Sequence, residues 1–419
     1  MLQAIRERRN RVLVTGVGAV TPLAPTAEES WSQLLLGQSG IGPITSFDVS
    51  DLPTKIGGEI RRFEISDYLP RNVSRRMDSY AQYAVAAAAQ AVESAKLQVE
   101  TTDSTRVGVV IGTGYGPVRS NHEVAAILQE KGPRGISPLS QVMGAHDSAA
   151  GEVSLLFGAK GPTRAISTAC ATGTDAIGEA ARLIQLGVCD VVIAGGADNC
   201  LTRVDFAGTG KAGALSTRND HPELASRPFD AARDGFVMSA GAGVVVLESA
   251  DHAIERGASG LAEFAGYAAT SDAHHWTAPH PQAEGARRAM VQALADAELQ
   301  PTELDYVNAH GTSTSIGDER ELWAIRQVLG EHAERVPISA TKSMTGHMIG
   351  ASGAVELISC VLAIRDGIVP PTVNLIDPID SALNLVPQVA QKLRVSTAMS
   401  NSFGFGGHNA VAVLKRWSW

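Results

Sequence analysis

Cys170 lies in the stretch AISTACATGTDAIGEA (165–180), where alanines, threonines and a glycine give way to the opening turns of a predicted helix. A thiol so placed has two readings. Free cysteine is among the most buried residue types and behaves as a small hydrophobe. At a helix start, however, unpaired N–H groups and the helix dipole favour the thiolate, which is the nucleophile. Two histidines sit at strand-to-loop transitions, His310 in YVNAHGTST and His347 in KSMTGHMIGASGA. Small and hydroxyl-bearing residues follow each, so another backbone or a ligand can come close, although a lone histidine is more often a satisfied polar residue than a catalyst. Lys342 and Glu356 flank His347, and their plain reading is an ion pair. Cys189 and Cys360, amid Leu, Val, Ile and Ala, read as structural, and Cys200 is uninformative.

Other chemistries find less support. The four cysteines form no CxxC pair, so neither a zinc site nor a disulfide framework is expected. His274, His275 and His280 lack the spacing of a helical metal pair. VTGVGAVTP begins like a dinucleotide fingerprint, but Thr21-Pro22 stands where the third glycine and a running helix belong. A formal charge of −9 argues against a general nucleic-acid binder. No apolar run approaches the roughly 18 residues of a membrane span, and the N-terminus is charged with no apolar signal region. A cytoplasmic protein is the plain expectation.

The elements that must position these residues are legible as apolar strands at 11–18, 106–114, 190–196, 243–249, 304–311, 336–341 and 410–416. Alanine-rich helical segments, such as 79–97, lie between several of them. Strands buried on both faces and alternating with helices predict an α/β architecture. GTDAIGEAARLIQLG (173–187) and GAVELISCVLAIRDG (353–367) match in length and in apolar positions. The match reads as two copies of one unit whose loops meet at a common site, or as coincidence between two alanine-type helices. NSFGFGGHN (401–409) reads as a glycine hairpin carrying two phenylalanines that a turn rarely spends on solvent.

Taken together, TACATG, NAHGTST, KSMTGHMIGASGAVE and GFGG make the chain resemble the condensing enzymes of the thiolase superfamily, most closely the β-ketoacyl-acyl-carrier-protein synthases of type I/II. The resemblance runs from VTGVGAVTPL to NSFGFGGHNAVAVLK. It implies an αβαβα sandwich of two similar halves, taken here as 1–255 with the nucleophilic cysteine and 256–419 with both histidines and the gating loop. By resemblance Cys170 is the nucleophile, His310 and His347 support malonyl decarboxylation, and Lys342 and Glu356 orient the histidine loop. The backbone N–H groups of Cys170 and Phe405 form the oxyanion hole, with Phe405 also the gate. The acyl-pocket wall falls on Tyr115, Ser140 and Thr209, where the family commonly has Ile and Phe. Docking of an acidic acyl-carrier protein, in its acyl and malonyl forms, falls on Arg75, Arg76 and Arg134, with Lys211 beside Gly213, where the family carries a further arginine.

No metal or organic cofactor is implied. A dimer is expected, either with a second copy or with a chain-length-factor-like homologue. The expected reaction is condensation of an acyl chain with malonyl-carrier protein to a 3-oxoacyl chain two carbons longer. Because unpaired hydroxyls are costly when buried, the pocket residues favour a specialised polyketide ketosynthase, a polyene enzyme among the options, over the housekeeping synthase II of fatty-acid elongation. A non-catalytic dimer partner and an acyl-thioester hydrolase are the more distant alternatives.

Overall fold

The computed structural model describes residues 9–418, so the charged start of the N-terminus lies outside the described residues. Valine- and isoleucine-rich segments that cannot face water on either side become central strands. These are β1 (Val12–Val20), β2 (Val107–Gly112), β4 (Val191–Asp198) and β5 (Gly241–Ser249), buried along their lengths. A two-residue β3 (Thr163–Arg164) completes the first group. The second group is β6 (Ala262–Ser271), β7 (Tyr306–Asn308), β8 (Ile338–Ser339), β9 (Thr397–Gly404) and β10 (His408–Lys415).

Among the described residues these ten strands run as β3-β2-β4-β5-β1-β6-β10-β9-β7-β8. Each half therefore has the order third, second, fourth, fifth, first. Directions repeat as well: β2 is parallel to β3 and β4, and β7 is parallel to β8 and β9, while the remaining pairs are antiparallel. The halves join edge to edge only where Leu13 and Val14 pair with Glu263 and Ala262.

Helices complete five layers. The first half's outer face carries α1 (Ser79–Ser94), and the second half's carries α3 (Glu284–Asp296) with α4 (Ser315–Leu329) beside it. Between the sheets lie α2 (Thr172–Gln185) and α5 (Ser352–Asp366), each packed on strands of both halves. These two are the matched segments of the sequence. The thiolase-like αβαβα sandwich is the architecture observed.

Three of these ten strands escaped the sequence reading. β6 and β9 are diluted by alanine, serine and glycine, and β3 is too short to show a pattern. Gly266 explains part of that composition in β6, because a Cβ there would lie 2.4 Å from the Ala293 carbonyl oxygen on α3.

The inner helices approach each other through glycine. A Cβ on Gly173 would lie 2.6 Å from Ala354 N, and one on Gly353 would lie 2.4 Å from Thr174 Oγ1. Both helices follow a 3₁₀ turn (Ala169–Ala171 and Ile349–Ala351) whose first residue has positive φ, 51° at Ala169 and 48° at Ile349. Each is also closed by a hydroxyl accepting a backbone N–H: Thr172 from Thr168 at 2.8 Å and Ser352 from Met348 at 2.9 Å. The repeat thus extends to individual hydrogen bonds. Gly353→Ala should destabilise the protein by about 2–3 kcal/mol through overpacking, read as a lower urea midpoint. Gly151→Ala, a helical glycine with open space around it, should be neutral or slightly stabilising in the same assay.

Candidate active site

Cys170 occupies the 3₁₀ turn that feeds α2 and is buried. The backbone N–H groups of Phe405 and of Cys170 itself both point at its sulfur. Phe405 opens the turn Phe405–Gly407 between β9 and β10, so the predicted hairpin exists. Gly404 lets this hairpin close on the cysteine loop, since a Cβ there would sit 3.0 Å from Cys170 N. The Phe405 side chain is 39% exposed. The sequence expectation of a thiolate favoured by the helix start needs correction. Burial dominates and pushes the Cys170 thiol up to about 11, while the Phe405 N–H and the Lys342 charge pull less strongly the other way.

The two histidines meet over this turn, with ring centroids 5.5 Å apart and planes nearly perpendicular. His310 follows β7 and His347 follows the short helix Lys342–Thr345. Lys342 Nζ donates to His310 Nδ1 at 3.4 Å and ion-pairs with Glu356. An ammonium has no lone pair to accept with, so His310 Nδ1 is an acceptor and its proton sits on Nε2. His347 is set the same way. Ser352 Oγ accepts the Met348 N–H at 2.9 Å, and among the described residues its own hydrogen has no hydrogen-bond acceptor but His347 Nδ1, also 2.9 Å away, to which it donates. His347 Nε2 is then an N–H donor, buried and without a partner. Burial, reinforced by the Lys342 charge, holds both imidazoles neutral with pKa values well below the ordinary histidine range. Burial likewise pushes Glu356 up to about 7, against the pull of Lys342.

A cavity of about 300 Å³ has Cys170, His310 and His347 in its wall, together with Phe403, Phe405 and Ala212 to Ala214. Tyr115, Ser140 and Thr209, expected to form an acyl pocket, do not line it. Tyr115 instead packs in an apolar cluster that contains Cys170, Cys200, Phe206 and Ile349. Burial pushes the Tyr115 hydroxyl up to about 12. Ser140 is buried at the start of the short helix Ser140–Met143.

The basic residues expected to dock a partner are all exposed: Arg75, Arg76, Arg134 and Lys211. Arg76 lies 3.5 Å from Glu152. Lys211 is followed directly by Ala212 and Gly213 of the cavity wall.

Two buried carboxylates escaped the sequence reading. Glu321 accepts the backbone N–H groups of His310 and Gly311 at 2.7 and 2.8 Å and a side-chain N–H of Asn401 at 3.2 Å, fixing the first histidine loop. Asp198, at the end of β4, accepts from Gly114 N at 2.8 Å and Gly350 N at 2.7 Å, tying the Tyr115 loop to the second histidine loop. Neither has a sequence signal of its own, since each acts on backbone brought close only by the fold.

Comparison with known proteins follows the same outline. The family described as "Beta-ketoacyl synthase, N-terminal domain" matches residues 9–253, and "Beta-ketoacyl synthase, C-terminal domain" matches residues 261–376. The chain is 45% identical to 3-oxoacyl-[acyl-carrier-protein] synthase 2 of Synechocystis, over 98% of this chain and 99% of that protein. Among solved structures it is similar to the ishigamide ketosynthase/chain length factor, with TM-score 0.91 and 33% identity over 98% of this chain and 100% of that one. A type II PKS acyl-carrier protein in complex with its ketosynthase bound to the hexaketide matches with TM-score 0.90 and 32% identity, over the same shares of the two chains.

The thiol's high pKa sets its reactivity toward small electrophiles. Iodoacetamide alkylation of Cys170, followed by peptide mass spectrometry, should accelerate close to tenfold per pH unit from about pH 7 to about pH 10, because only the thiolate reacts. A plateau below about pH 8 would mean that the helix start outweighs burial.

Proposed function

The chain belongs to the beta-ketoacyl synthase family, and we propose that Cys170, His310 and His347 divide its decarboxylative Claisen condensation between acyl transfer and carbon–carbon bond formation. It is a condensing acyltransferase of fatty-acid or polyketide biosynthesis. The observation that carries the division of roles is the buried, unpartnered Nε2 of His347, on a ring lining the same cavity as Cys170.

In the first step the Cys170 sulfur attacks the thioester carbonyl of an acyl chain on acyl-carrier protein, and the carrier's thiol leaves with the proton. The N–H groups of Cys170 and Phe405 hold the oxyanion. Malonyl-carrier protein then enters and loses carbon dioxide. The enolate oxygen that develops accepts hydrogen bonds from Nε2–H of His310 and His347, which neutral imidazoles supply without a proton to lose. The enolate carbon attacks the acyl-enzyme carbonyl, the Cys170–acyl bond breaks with Cys170 leaving as a thiolate that takes up a proton from solvent, and a 3-oxoacyl chain two carbons longer departs on the carrier. Lys342, held by Glu356, keeps His310 in its donor tautomer. Phe405, flanked by Gly404 and Gly406, serves as the gate.

The specialised polyketide reading drew on pocket hydroxyls at Tyr115, Ser140 and Thr209, residues that do not line the cavity with Cys170 in its wall. Its remaining support is the likeness to polyketide ketosynthases, against a higher identity to synthase 2 proteins. A dimer through β3 is the assembly we favour. This strand ends the sheet, and the helix Ser148–Phe157 packed on it exposes Leu155 and Leu156. A second copy or a homologous subunit fits that edge. We divide the chain at 255/256, between β5 and β6. Among the described residues no helix is long and apolar enough to cross a membrane, and we place the enzyme in the cytoplasm.

Two experiments test these roles. Cys170→Ala should abolish acyl-enzyme formation while malonyl-carrier decarboxylation persists, and His310→Ala should lower decarboxylation by about 10²-fold or more with a smaller effect on acylation. Equal loss of acylation in both variants would overturn the assignment. For docking, Arg75→Glu combined with Lys211→Glu should raise KM for acyl-carrier protein in a salt-dependent way. Turnover of a small thioester mimic should be unchanged, and an equal loss with both substrates would remove the docking role from these residues.

A further inference from the structure

A second cavity, of about 350 Å³, shares no lining residue with the cavity that holds Cys170. Its apolar lining is Ile60, Leu201 and Ala240, three residues of the cluster that also contains Cys170. The polar lining is unequal in what it has left to offer. Glu59 is spent, accepting from Thr45 N at 3.0 Å, Thr45 Oγ1 at 2.8 Å and Ser46 N at 2.8 Å, with Arg61 3.7 Å away. Arg61 further donates to the Pro43 carbonyl at 2.8 Å.

Arg119 and Tyr83 are different. Arg119 is only partly exposed, yet it makes no ion pair or hydrogen bond among the described residues, and neither does the Tyr83 hydroxyl. Burial pushes Tyr83 up to about 12, so its hydroxyl keeps its proton and remains a donor. A guanidinium fork and a phenol, both unspent, thus share one cavity with an aliphatic floor. A guanidinium matches a carboxylate through two parallel hydrogen bonds. With Arg61 offset by Glu59, one uncompensated positive charge remains, which suits a monoanion better than a phosphate. The aliphatic floor suits a hydrocarbon body behind that head.

We propose that this cavity binds an amphipathic monocarboxylate of the free medium-chain fatty acid class, with its carboxylate on Arg119 and Tyr83 and its chain against Ile60, Leu201 and Ala240. The site is separate from the catalytic cavity and does not depend on the condensation roles assigned above.

Calorimetric titration of the full-length protein with octanoate tests it, using protein whose Cys170 has been alkylated so that the catalytic cavity is blocked. Octanoate should bind the blocked protein as it binds the free one. Arg119→Gln should weaken binding about tenfold or more, Tyr83→Phe about three- to fivefold, and Arg119→Lys should fall between wild type and Arg119→Gln. Octanol and inorganic phosphate should each bind at least about tenfold more weakly than octanoate. Circular dichroism and acyl transfer by each variant check the fold; should Arg119→Gln fail to fold, the Arg119→Lys and Tyr83→Phe comparison decides. Unchanged affinity in the folded variants, loss of binding on alkylation, or phosphate binding as tightly as octanoate would overturn the proposal.

Discussion

The contact on which the structure depends is the crossing of α2 and α5 between the two sheets. Gly173 on one helix and Gly353 on the other allow backbone to approach backbone where any side chain would collide. That closeness brings two loops together, and each loop carries one kind of chemistry. The cysteine turn precedes α2, and the second histidine precedes α5. Both loops are built alike, with a positive-φ residue, a 3₁₀ turn and a hydroxyl cap. A duplicated unit has thereby been given two different jobs across one pseudo-symmetric contact.

Around that contact the catalytic groups are buried, and burial decides their protonation. Burial raises the Cys170 thiol and the carboxyls of Glu356, Glu321 and Asp198 and lowers both imidazoles. The result is a set of neutral donors arranged around a cavity, with one ammonium, Lys342, held in place by Glu356 and touching His310. Such groups stabilise an oxyanion or enolate without first reorganising, which is how preorganised donors lower a barrier. Glu321 and Asp198 serve this arrangement indirectly. They hold the backbone of the two histidine loops, so the rings need not be positioned by their own side-chain contacts alone.

Much of this was legible in the sequence, and for local reasons. Buried strands show as runs of valine and isoleucine, and the inner helices show as matched apolar patterns bounded by glycine. Cys170, His310, His347, Lys342 and Glu356 announce themselves by residue type and by the small residues around them. β6 and β9 escaped because their alanines, serines and glycines answer to neighbouring helices rather than to strand propensity, as Gly266 does against α3.

What only the tertiary structure decided has a common cause: each such feature depends on groups far apart in the chain. The thiol's pKa follows from burial, whereas the sequence displayed only a helix start. Each histidine tautomer follows from a partner on a neighbouring element or turn, Lys342 for one and Ser352 for the other. Tyr115, Phe206 and Ile349, far apart in the chain, meet Cys170 in one apolar cluster that the fold alone assembles. The sequence by itself determined which chemical groups are present and which elements carry them, because those depend on side-chain identity and local periodicity. Their protonation, orientation and pairing were settled by the fold, because desolvation and hydrogen bonding act through space and not along the chain.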